Sequence, residues 1–205
     1  MHIVIAGAGI GGLTLALMLH RRGIACRVYE SAQELRPLGV GINLQPHAVN
    51  ELEQLGLLPA LAERAIETSQ LHYYNKFGQP IWREPRGLEA GYLLPQYSVH
   101  RGEFQMLLAQ AVRDELGQDA IVTGMVLESV DQDARGVSVS LRRRSDGSTQ
   151  SVRGDILVGA DGIHSTLRRQ LHPVGDDPRF SGRMVWRAGT QAPPRAELFA
   201  PPAST

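Results

Sequence analysis

The 205-residue sequence has only one cysteine, Cys26, and no net charge. One cysteine cannot form an internal disulfide or a cysteine-based zinc site, and the seven histidines show no metal-binding spacing. Because basic and acidic residues number 21 each, the composition favours neither nucleic acid nor a membrane surface as a partner. Low cysteine content also leads us to expect a reduced, cytoplasmic setting.

Long hydrophobic runs are also missing. The longest apolar stretches are interrupted by arginine, glutamate or glycine, so no membrane-spanning segment is predicted. The N-terminus, MHIVIAGAGIGG, lacks the charged flank and cleavage site of a signal peptide. The basic run LRRRSDGST leads into an Asp-Gly turn, so we interpret it as a solvated hairpin rather than a binding patch.

The first thirty residues have the pattern of a strand, a helix and a second strand. An apolar run over residues 2–6 is typical of a buried parallel strand, and a helix rich in leucine and alanine is predicted over residues 13–20. Gly23 suits the position just after that helix. A second strand is predicted over residues 27–30, so the chain opens as a βαβ unit of an α/β fold.

The rest of the chain alternates between predicted helices and strands. Gly39 and Gly41 are interpreted as a loop, and residues 71–82 as an aromatic hairpin that turns at residues 75–79. We also predict helices over 46–55, within 100–117 and over 165–171, and strands over 126–130, 137–142, 155–159 and, with little pattern, 181–191.

The glycines after the first strand have a specific chemical meaning. Gly7, Gly9 and Gly12 fit G-x-G-x-x-G, in which the glycines permit a tight turn, close approach to a pyrophosphate, and helix–strand packing. Glu30 follows at about the spacing at which an acid accepts ribose hydroxyls, and its charge argues against a 2′-phosphate there. The pattern predicts a site for FAD or NAD; the alternative is a purely structural turn.

A second glycine turn, GADG at residues 159–162, completes a series of motifs with a family resemblance. IAGAGIGGL, Glu30, RPLGVGINLQP, HRGEF and DILVGADGIHSTLR occur in this order in the sequence. Over residues 1–187 the chain resembles the single-component aromatic-ring flavoprotein monooxygenases, such as p-hydroxybenzoate and salicylate hydroxylases, and in particular their phenazine-type branch. The resemblance implies an α/β fold: a Rossmann-like FAD-binding domain of the p-hydroxybenzoate hydroxylase type, with an incomplete substrate-binding β-sheet.

The resemblance also implies which residues bind FAD. The glycine loop would meet the pyrophosphate and Glu30 the adenosine ribose. Arg36 and the loop from Gly39 to Ile42 would approach the cofactor on its way toward the flavin ring. Leu127 would offer its backbone to the adenine, and the second glycine turn would lie near the pyrophosphate. The implied cofactor-binding residues are Gly7, Gly9, Gly11, Gly12, Glu30, Ser31, Arg36, Val40, Gly41, Arg101, Leu127, Asp161 and Gly162.

The roles of Arg101 and Ser165 each have a plain structural alternative. Arg101 would contact FAD, but it could instead form a surface ion pair with Glu103 or Asp114. Ser165 and Arg168 would brace the second glycine turn, although Ser165 could equally be an ordinary helix N-cap.

The implied reaction is an NADH- or NADPH-dependent hydroxylation of a small aromatic ring, phenazine- or salicylate-like, by molecular oxygen through a flavin hydroperoxide. The cofactor carries this chemistry, so we predict no catalytic side chain. Residues 1–70 and 96–178 would form the FAD-binding domain, and residues 71–95 and 179–205 parts of a substrate domain. Alternatives are an NAD-dependent dehydrogenase or reductase, and a non-catalytic nucleotide-binding remnant.

The end of the chain departs from the family pattern. Family members continue well past this point and carry a Gly-Asp pair that binds the flavin side of the cofactor, whereas this sequence ends in RAELFAPPAST. We interpret it as a truncated form and expect weak FAD binding with little or no hydroxylation.

Overall fold

A computed structural model describes residues 1–174 and 179–185 of the chain. Their strands and helices follow the α/β pattern predicted from the sequence. The strands are β1 (His2–Ala6), β2 (Ala25–Tyr29), β3 (Gly41–Leu44), β4 (Ala65–Thr68), β5 (Gln70–Tyr74), β6 (Pro80–Pro85), β7 (Gln96–His100), β8 (Ile121–Val122), β9 (Met125–Asp133), β10 (Gly136–Arg143), β11 (Thr149–Gly154) and β12 (Ile156–Gly159). The helices are α1 (Ile10–Arg21), α2 (Pro46–Gln54), α3 (Leu58–Ala62), α4 (Arg101–Leu116) and α5 (Thr166–Leu171), with short 3₁₀ turns at Gly87–Ala90 and Gln118–Ala120.

A parallel sheet in the order β12-β1-β2-β8 lies at the centre of the fold. Successive side chains of a strand point to opposite faces, and β1 follows this rule. Ile3 and Ile5 pack into the core formed with α1 and α4, whereas Val4 and Ala6 pack into the core formed with β9 and β10. The antiparallel sheet β11-β10-β9 therefore covers the face of the parallel sheet opposite the helices, which gives three layers.

Two smaller antiparallel groups complete the fold. Strands β3, β7 and β4 form one sheet, and β5 and β6 form a separate hairpin. The hairpin turns where the sequence predicts, with the Asn75 side chain accepting hydrogen bonds from the backbone N–H groups of Phe77 and Gln79. Phe77 and Trp82 are 75% and 60% exposed. The hairpin thus presents its aromatic side chains away from the two described cores.

Several sequence predictions need correction. Gly41 is not loop: it begins β3 and pairs with His100 on β7. Strands β3, β4, β7 and β8 and the one-turn helix α3 were not predicted, because short strands that pair with distant segments carry little local pattern. Of the strand suggested over residues 181–191, residues 181–185 form none, and 186–191 lie outside the described residues. The basic run does form a hairpin, between β10 and β11.

No helix within residues 1–174 and 179–185 has both the length and the apolar character needed to cross a bilayer. Cys26 lies on β2, half-buried, with its Sγ 3.7 Å from the Ala16 carbonyl oxygen. Burial raises the pKa of the Cys26 thiol, so the uncharged form is favoured. Cys26 therefore packs as a small apolar side chain, as predicted.

Candidate nucleotide-binding site

A cleft of about 340 Å³ opens where β1, β2 and β12 end. This is the edge at which open parallel sheets bind ligands, since the loops leaving the carboxyl ends of the strands meet there. Nine of the predicted cofactor-binding residues line the cleft: Gly7, Gly9, Glu30, Ser31, Arg36, Arg101, Leu127, Asp161 and Gly162.

The glycine loop after β1 is shaped by two close backbone contacts. Gly7 has φ +105°, and a Cβ at this position would overlap the Ala160 carbonyl oxygen. A Cβ at Gly12 would overlap the carbonyl oxygen of Gly7 itself. A Cβ at Gly9, in contrast, would meet no atom within 4 Å. Packing therefore requires Gly7 and Gly12, whereas the space beside Gly9 is open to a ligand.

The N-terminus of α1 faces this space, and no side chain in the described part of the chain caps its first N–H groups. Gly9 is the N-cap, it supplies no side-chain hydrogen bond, and no acidic residue lies in the first turn. The first N–H groups of a helix lack intrahelical acceptors and carry a partial positive charge. An anionic group such as a pyrophosphate would satisfy both the hydrogen bonds and the charge.

Glu30 holds its carboxylate beside the glycine loop, at the edge of the cleft. One oxygen accepts from the Ala8 N–H at 2.8 Å, and the other accepts from the Ala32 N–H at 2.7 Å and the Ser31 hydroxyl at 3.1 Å. These bonds fix the carboxylate against the glycine loop. A carboxylate has about four acceptor positions, so capacity remains for a ribose hydroxyl.

The second glycine turn packs against the first. The Ala160 N–H donates to the Ala6 carbonyl at 2.7 Å, which continues the pairing of β12 with β1. The Asp161 carboxylate accepts from the Ser165 hydroxyl at 2.6 Å and from the Thr166 N–H at 2.8 Å. The Asp161 side chain is therefore occupied in capping α5, although the residue borders the cleft.

Ser165 and Arg168 support this turn as predicted. The Ser165 hydroxyl accepts from the Arg168 N–H at 2.9 Å, so Ser165 is an N-cap and is also a partner of Asp161. The Arg168 guanidinium donates to the Ile163 carbonyl at 2.9 Å.

The HRGEF motif fastens α4 to the loop that borders the cleft. The His100 ring accepts from the Glu103 N–H at 3.4 Å, and its other nitrogen lies 2.9 Å from the Gly39 carbonyl. Neutral His100 must then carry its proton on Nε2. Gly102 has to be glycine because a Cβ would overlap the backbone of Pro37. Arg101, between them, lines the cleft.

Arg101 has no ion-pair partner in the described part of the chain, so the suggested pairs with Glu103 and Asp114 do not form. Asp114 instead accepts from the Gln110 amide at 2.8 Å. The Arg101 side chain lies beside Gly39: a Cβ at Gly39 would be 3.6 Å from Nη1 of Arg101. Its charge is available to a ligand.

Four predicted residues do not line the cleft. Gly12 is buried beneath the loop and Gly11 is exposed on the first turn of α1. Val40 accepts a hydrogen bond from the Arg101 N–H at 2.9 Å through its carbonyl, and Gly41 belongs to β3. Gly12, Val40 and Gly41 thus shape the loop or the sheet, whereas a Cβ at Gly11 would meet no atom within 4 Å.

The sequence prediction missed Gln105. From α4 its amide donates to the Ala8 carbonyl at 2.7 Å, and its side chain lines the cleft. The two residues are 97 positions apart, so no local pattern could identify the contact. The only available signal was the position of Gln105 one turn after Arg101, on the same side of a helix.

Comparison with known proteins places these features in a family. Residues 1–182 match the FAD binding domain family. Phenazine 1,6-dicarboxylic acid hydroxylase PhzS of Lysobacter antibioticus is 49% identical over 191 residues, which make up 92% of this chain and 47% of that protein. The chain spans about half the length of the curated relatives it matches.

Solved structures agree with this assignment. The structure of Klebsiella pneumoniae HpxO complexed with FAD is 30% identical, with a TM-score of 0.66 over 83% of this chain and 42% of that one. p-Nitrophenol 4-monooxygenase PnpA of Pseudomonas putida, at 21% identity, shares the fold with a TM-score of 0.75 over 83% of this chain and 43% of that one. With a Rossmann-like α/β fold and a family match over most of its length, the chain belongs to the FAD binding domain family.

Proposed function

We propose that the chain is the FAD-binding part of an NADH- or NADPH-dependent aromatic-ring hydroxylase. The observation that carries the proposal is the uncapped N-terminus of α1, which faces a cleft that also presents the Glu30 carboxylate. Phosphate and ribose need these two kinds of group at the two sides of one nucleotide. The relatives are hydroxylases and monooxygenases, which supports the reaction class.

The proposed contacts divide FAD among the walls of the cleft. The N–H groups after Gly9 would bind the pyrophosphate, and Glu30 with Ser31 would bind the adenosine ribose. Leu127 lies on β9, the edge strand of its sheet, so its backbone can pair with an adenine. Gly11 and Gly12 would contribute through the helix turn that they form.

The remaining polar residues would guide the cofactor toward its flavin end. Arg36 and Arg101 supply positive charge, and the Val40–Gly41 segment fixes the loop behind Arg101. Bound FAD would supply the redox chemistry and oxygen activation. We assign no proton transfer to any side chain of this cleft. Asp161 and Gly162 would border the pyrophosphate, with the Asp161 carboxylate holding α5 in place.

We also propose the division of the chain into a FAD-binding domain, residues 1–70 and 96–178, and substrate-domain elements at 71–95 and 179–205. The isolated β5–β6 hairpin and its exposed aromatics support this division for the first of those elements. Residues 175–178 and 186–205 lie outside the described part of the chain.

The substrate class follows from the relatives rather than from the cleft. We propose a small aromatic substrate, phenazine- or salicylate-like, with molecular oxygen as co-substrate, because several relatives are hydroxylases of a phenazine dicarboxylic acid or of hydroxybenzoates. We propose a cytoplasmic location because the chain has one, half-buried, cysteine. An NAD-dependent dehydrogenase is not favoured, since the chain matches the FAD binding domain family and the related HpxO structure contains FAD.

The test is the visible absorption spectrum of the purified chain, before and after FAD is added. A protein-perturbed flavin band that saturates with FAD is expected, and NAD should not displace the flavin. Glu30→Ala should raise the FAD concentration needed to saturate the band. Glu63→Ala, which removes an exposed glutamate after α3, should leave that concentration unchanged. A chain that leaves the spectrum of FAD unperturbed would contradict the proposal.

A further inference from the structure

Strand β9 forms the outer edge of its antiparallel sheet, and the backbone groups along that edge have different partners. At the start of the strand, the Met125 N–H donates to the Glu30 carbonyl at 2.8 Å. Further along, the side chain of Gln170 on α5 binds both backbone groups of Val130. Its amide oxygen accepts from the Val130 N–H at 2.9 Å, and its amide nitrogen donates to the Val130 carbonyl at 2.5 Å. One side chain thus takes the place of a neighbouring strand at this position.

A β-bulge places Leu127 on the same edge as these two fastened residues. Backbone groups of a strand point to alternate edges, so Met125 and Leu127, which are two positions apart, share an edge. Val130 is three positions after Leu127, but the pairing of β9 with β10 shifts between them, and Glu128 is the extra residue. Because one extra residue restores the alternation, Leu127 and Val130 also share this edge.

Helix α5 is held against β9 along its length, so the position of Gln170 is well defined. The first N–H groups of α5 are accepted by Asp161 and Ser165 of the second glycine turn. Leu167, in the middle of the helix, packs against the core formed with β9 and β10. Gln170 therefore links the second glycine turn to the strand on which Leu127 lines the nucleotide cleft.

We propose that Gln170 is a positioning residue for the adenine of FAD. The inference rests on the proposed function, in which the Leu127 backbone pairs with the base. Gln170 occupies both groups of Val130, and the Glu30 carbonyl occupies the Met125 N–H, so the part of the edge that a base can use is limited to Leu127. One N–H and one C=O can pair with a ring nitrogen and the amino group of adenine. Fixing β9 on both sides of Leu127 holds these two groups at a set distance from the ribose site.

Amide hydrogen exchange of the ligand-free 205-residue chain tests whether Gln170 holds the edge. Gln170→Met keeps the length and the helix propensity of the side chain but removes both hydrogen bonds to Val130. We expect the Val130 amide to exchange about tenfold faster than in the wild type, which is the effect of losing one ordinary hydrogen bond. Gln132→Met is the matched control, because Gln132 is an exposed glutamine on the same strand. It should leave the exchange of Val130 unchanged.

Calorimetry with adenosine 5′-diphosphate and inosine 5′-diphosphate tests whether this edge reads the base. The two probes differ only in the base, where inosine has an oxygen in place of the amino group of adenosine. We expect the wild type to bind the adenosine probe about tenfold more tightly, since only that probe can donate to the Leu127 carbonyl. Gln170→Met should bind the two probes with nearly equal affinity, and Gln132→Met should keep the preference. A purely structural role of Gln170 would weaken both probes alike and leave their ratio unchanged.

Three results would overturn the inference: an unchanged exchange rate of Val130 in Gln170→Met, a preference for the adenosine probe that survives this substitution, or equal affinity of the wild type for the two probes. If Gln170→Met does not fold, Gln170→Glu takes its place with the same expected loss of preference, because it accepts from the Val130 N–H but cannot donate to the carbonyl. Failure of the wild type to perturb the FAD spectrum would contradict the proposed function instead, since the exchange measurement requires no nucleotide.

Discussion

The two glycine turns of this chain follow neighbouring, paired strands, yet they treat the helix that comes next in opposite ways. At the first turn, Gly9 leaves the N-terminus of α1 without a side-chain cap or an acidic residue. At the second turn, the carboxylate of Asp161 and the hydroxyl of Ser165 accept the N–H groups that begin α5. The first N–H groups of α1 have no side-chain cap from the described residues, whereas α5 already has the Asp161 carboxylate as an anionic acceptor.

This difference indicates that the first turn is suited to bind a ligand, whereas the second turn supports the first. Unsatisfied helix donors at a cleft are costly unless a ligand or water accepts from them, so their presence marks where a ligand is expected. Satisfied donors indicate that a turn is self-contained. The second turn then contributes mainly through Ala160, whose carbonyl lies where a Cβ on Gly7 would be. The GADG motif thus supports the shape of the G-x-G-x-x-G loop, because its Ala160 carbonyl packs directly against Gly7.

The largest effect is expected from filling the contact inside the first turn. In Gly12→Ala the new Cβ would overlap the Gly7 carbonyl oxygen, a backbone atom that cannot rotate away. Overpacking of this kind typically costs up to about 3 kcal/mol, and here we expect the upper end of that range together with loss of FAD binding. Urea unfolding followed by circular dichroism measures the change in free energy.

Gly11→Ala is the matched control, one position earlier in the same helix. Its Cβ would meet no atom within 4 Å. Alanine is a better helix former than glycine, so we expect stability to be unchanged or higher by up to about 1 kcal/mol. Equal destabilisation by Gly11→Ala and Gly12→Ala would show that the close contact does not determine the requirement for glycine.

The second turn should lose stability when its carboxylate is removed. Asp161→Ala leaves the Ser165 hydroxyl and the Thr166 N–H without their acceptor. Loss of a helix cap costs up to about 2 kcal/mol, and Asp161→Asn, which keeps one carbonyl oxygen, should cost less. Thermal unfolding of the two variants checks this order. If Asp161→Ala were as stable as the wild type, Asp161 could not be the cap on which the comparison depends.

How much the sequence could predict differs between the two turns for a physical reason. The G-x-G-x-x-G loop and Glu30 are recognisable because tight turn, helix start and strand end lie within thirty residues. The role of Asp161 as a cap is also local, with partners four and five positions away. What joins the turns is not local: the close approach of Gly7 to Ala160 and the hydrogen bond from Gln105 to Ala8 connect distant segments.

The strands that were missed show the same limit. Strand β3 holds four residues, begins with a glycine, and pairs with β7 more than fifty positions later. Its stability comes from that pairing and from Leu44, which is buried in the helical core. A sequence window around Gly41 therefore resembles a loop. In contrast, β1 is buried on both faces and its apolar run alone indicated the strand.

A change to the ligand side of the first turn should affect affinity more than stability. Glu30→Gln keeps the shape of the side chain but removes its charge and one acceptor for the Ala8 or Ala32 N–H. Because hydrogen bonds to a charged acceptor are stronger, we expect the dissociation constant for FAD to rise about tenfold. Flavin fluorescence quenching measures it. Glu63→Gln, which removes an exposed acid remote from the cleft, should leave it unchanged.

The smallest effect is expected from substitutions of Gly162, which can distinguish a requirement for its backbone conformation from a direct contact with a ligand. This residue lies in the second turn with φ +77°, and a Cβ there would meet no atom within 4 Å. Alanine in this left-handed conformation should cost about 1 kcal/mol, whereas asparagine tolerates it better. If Gly162 is needed only for its conformation, Gly162→Asn should unfold close to the wild type and bind FAD with unchanged affinity. If a ligand occupies the open space beside it, both variants should lose affinity, and the second turn would then contact FAD directly as well as supporting the first.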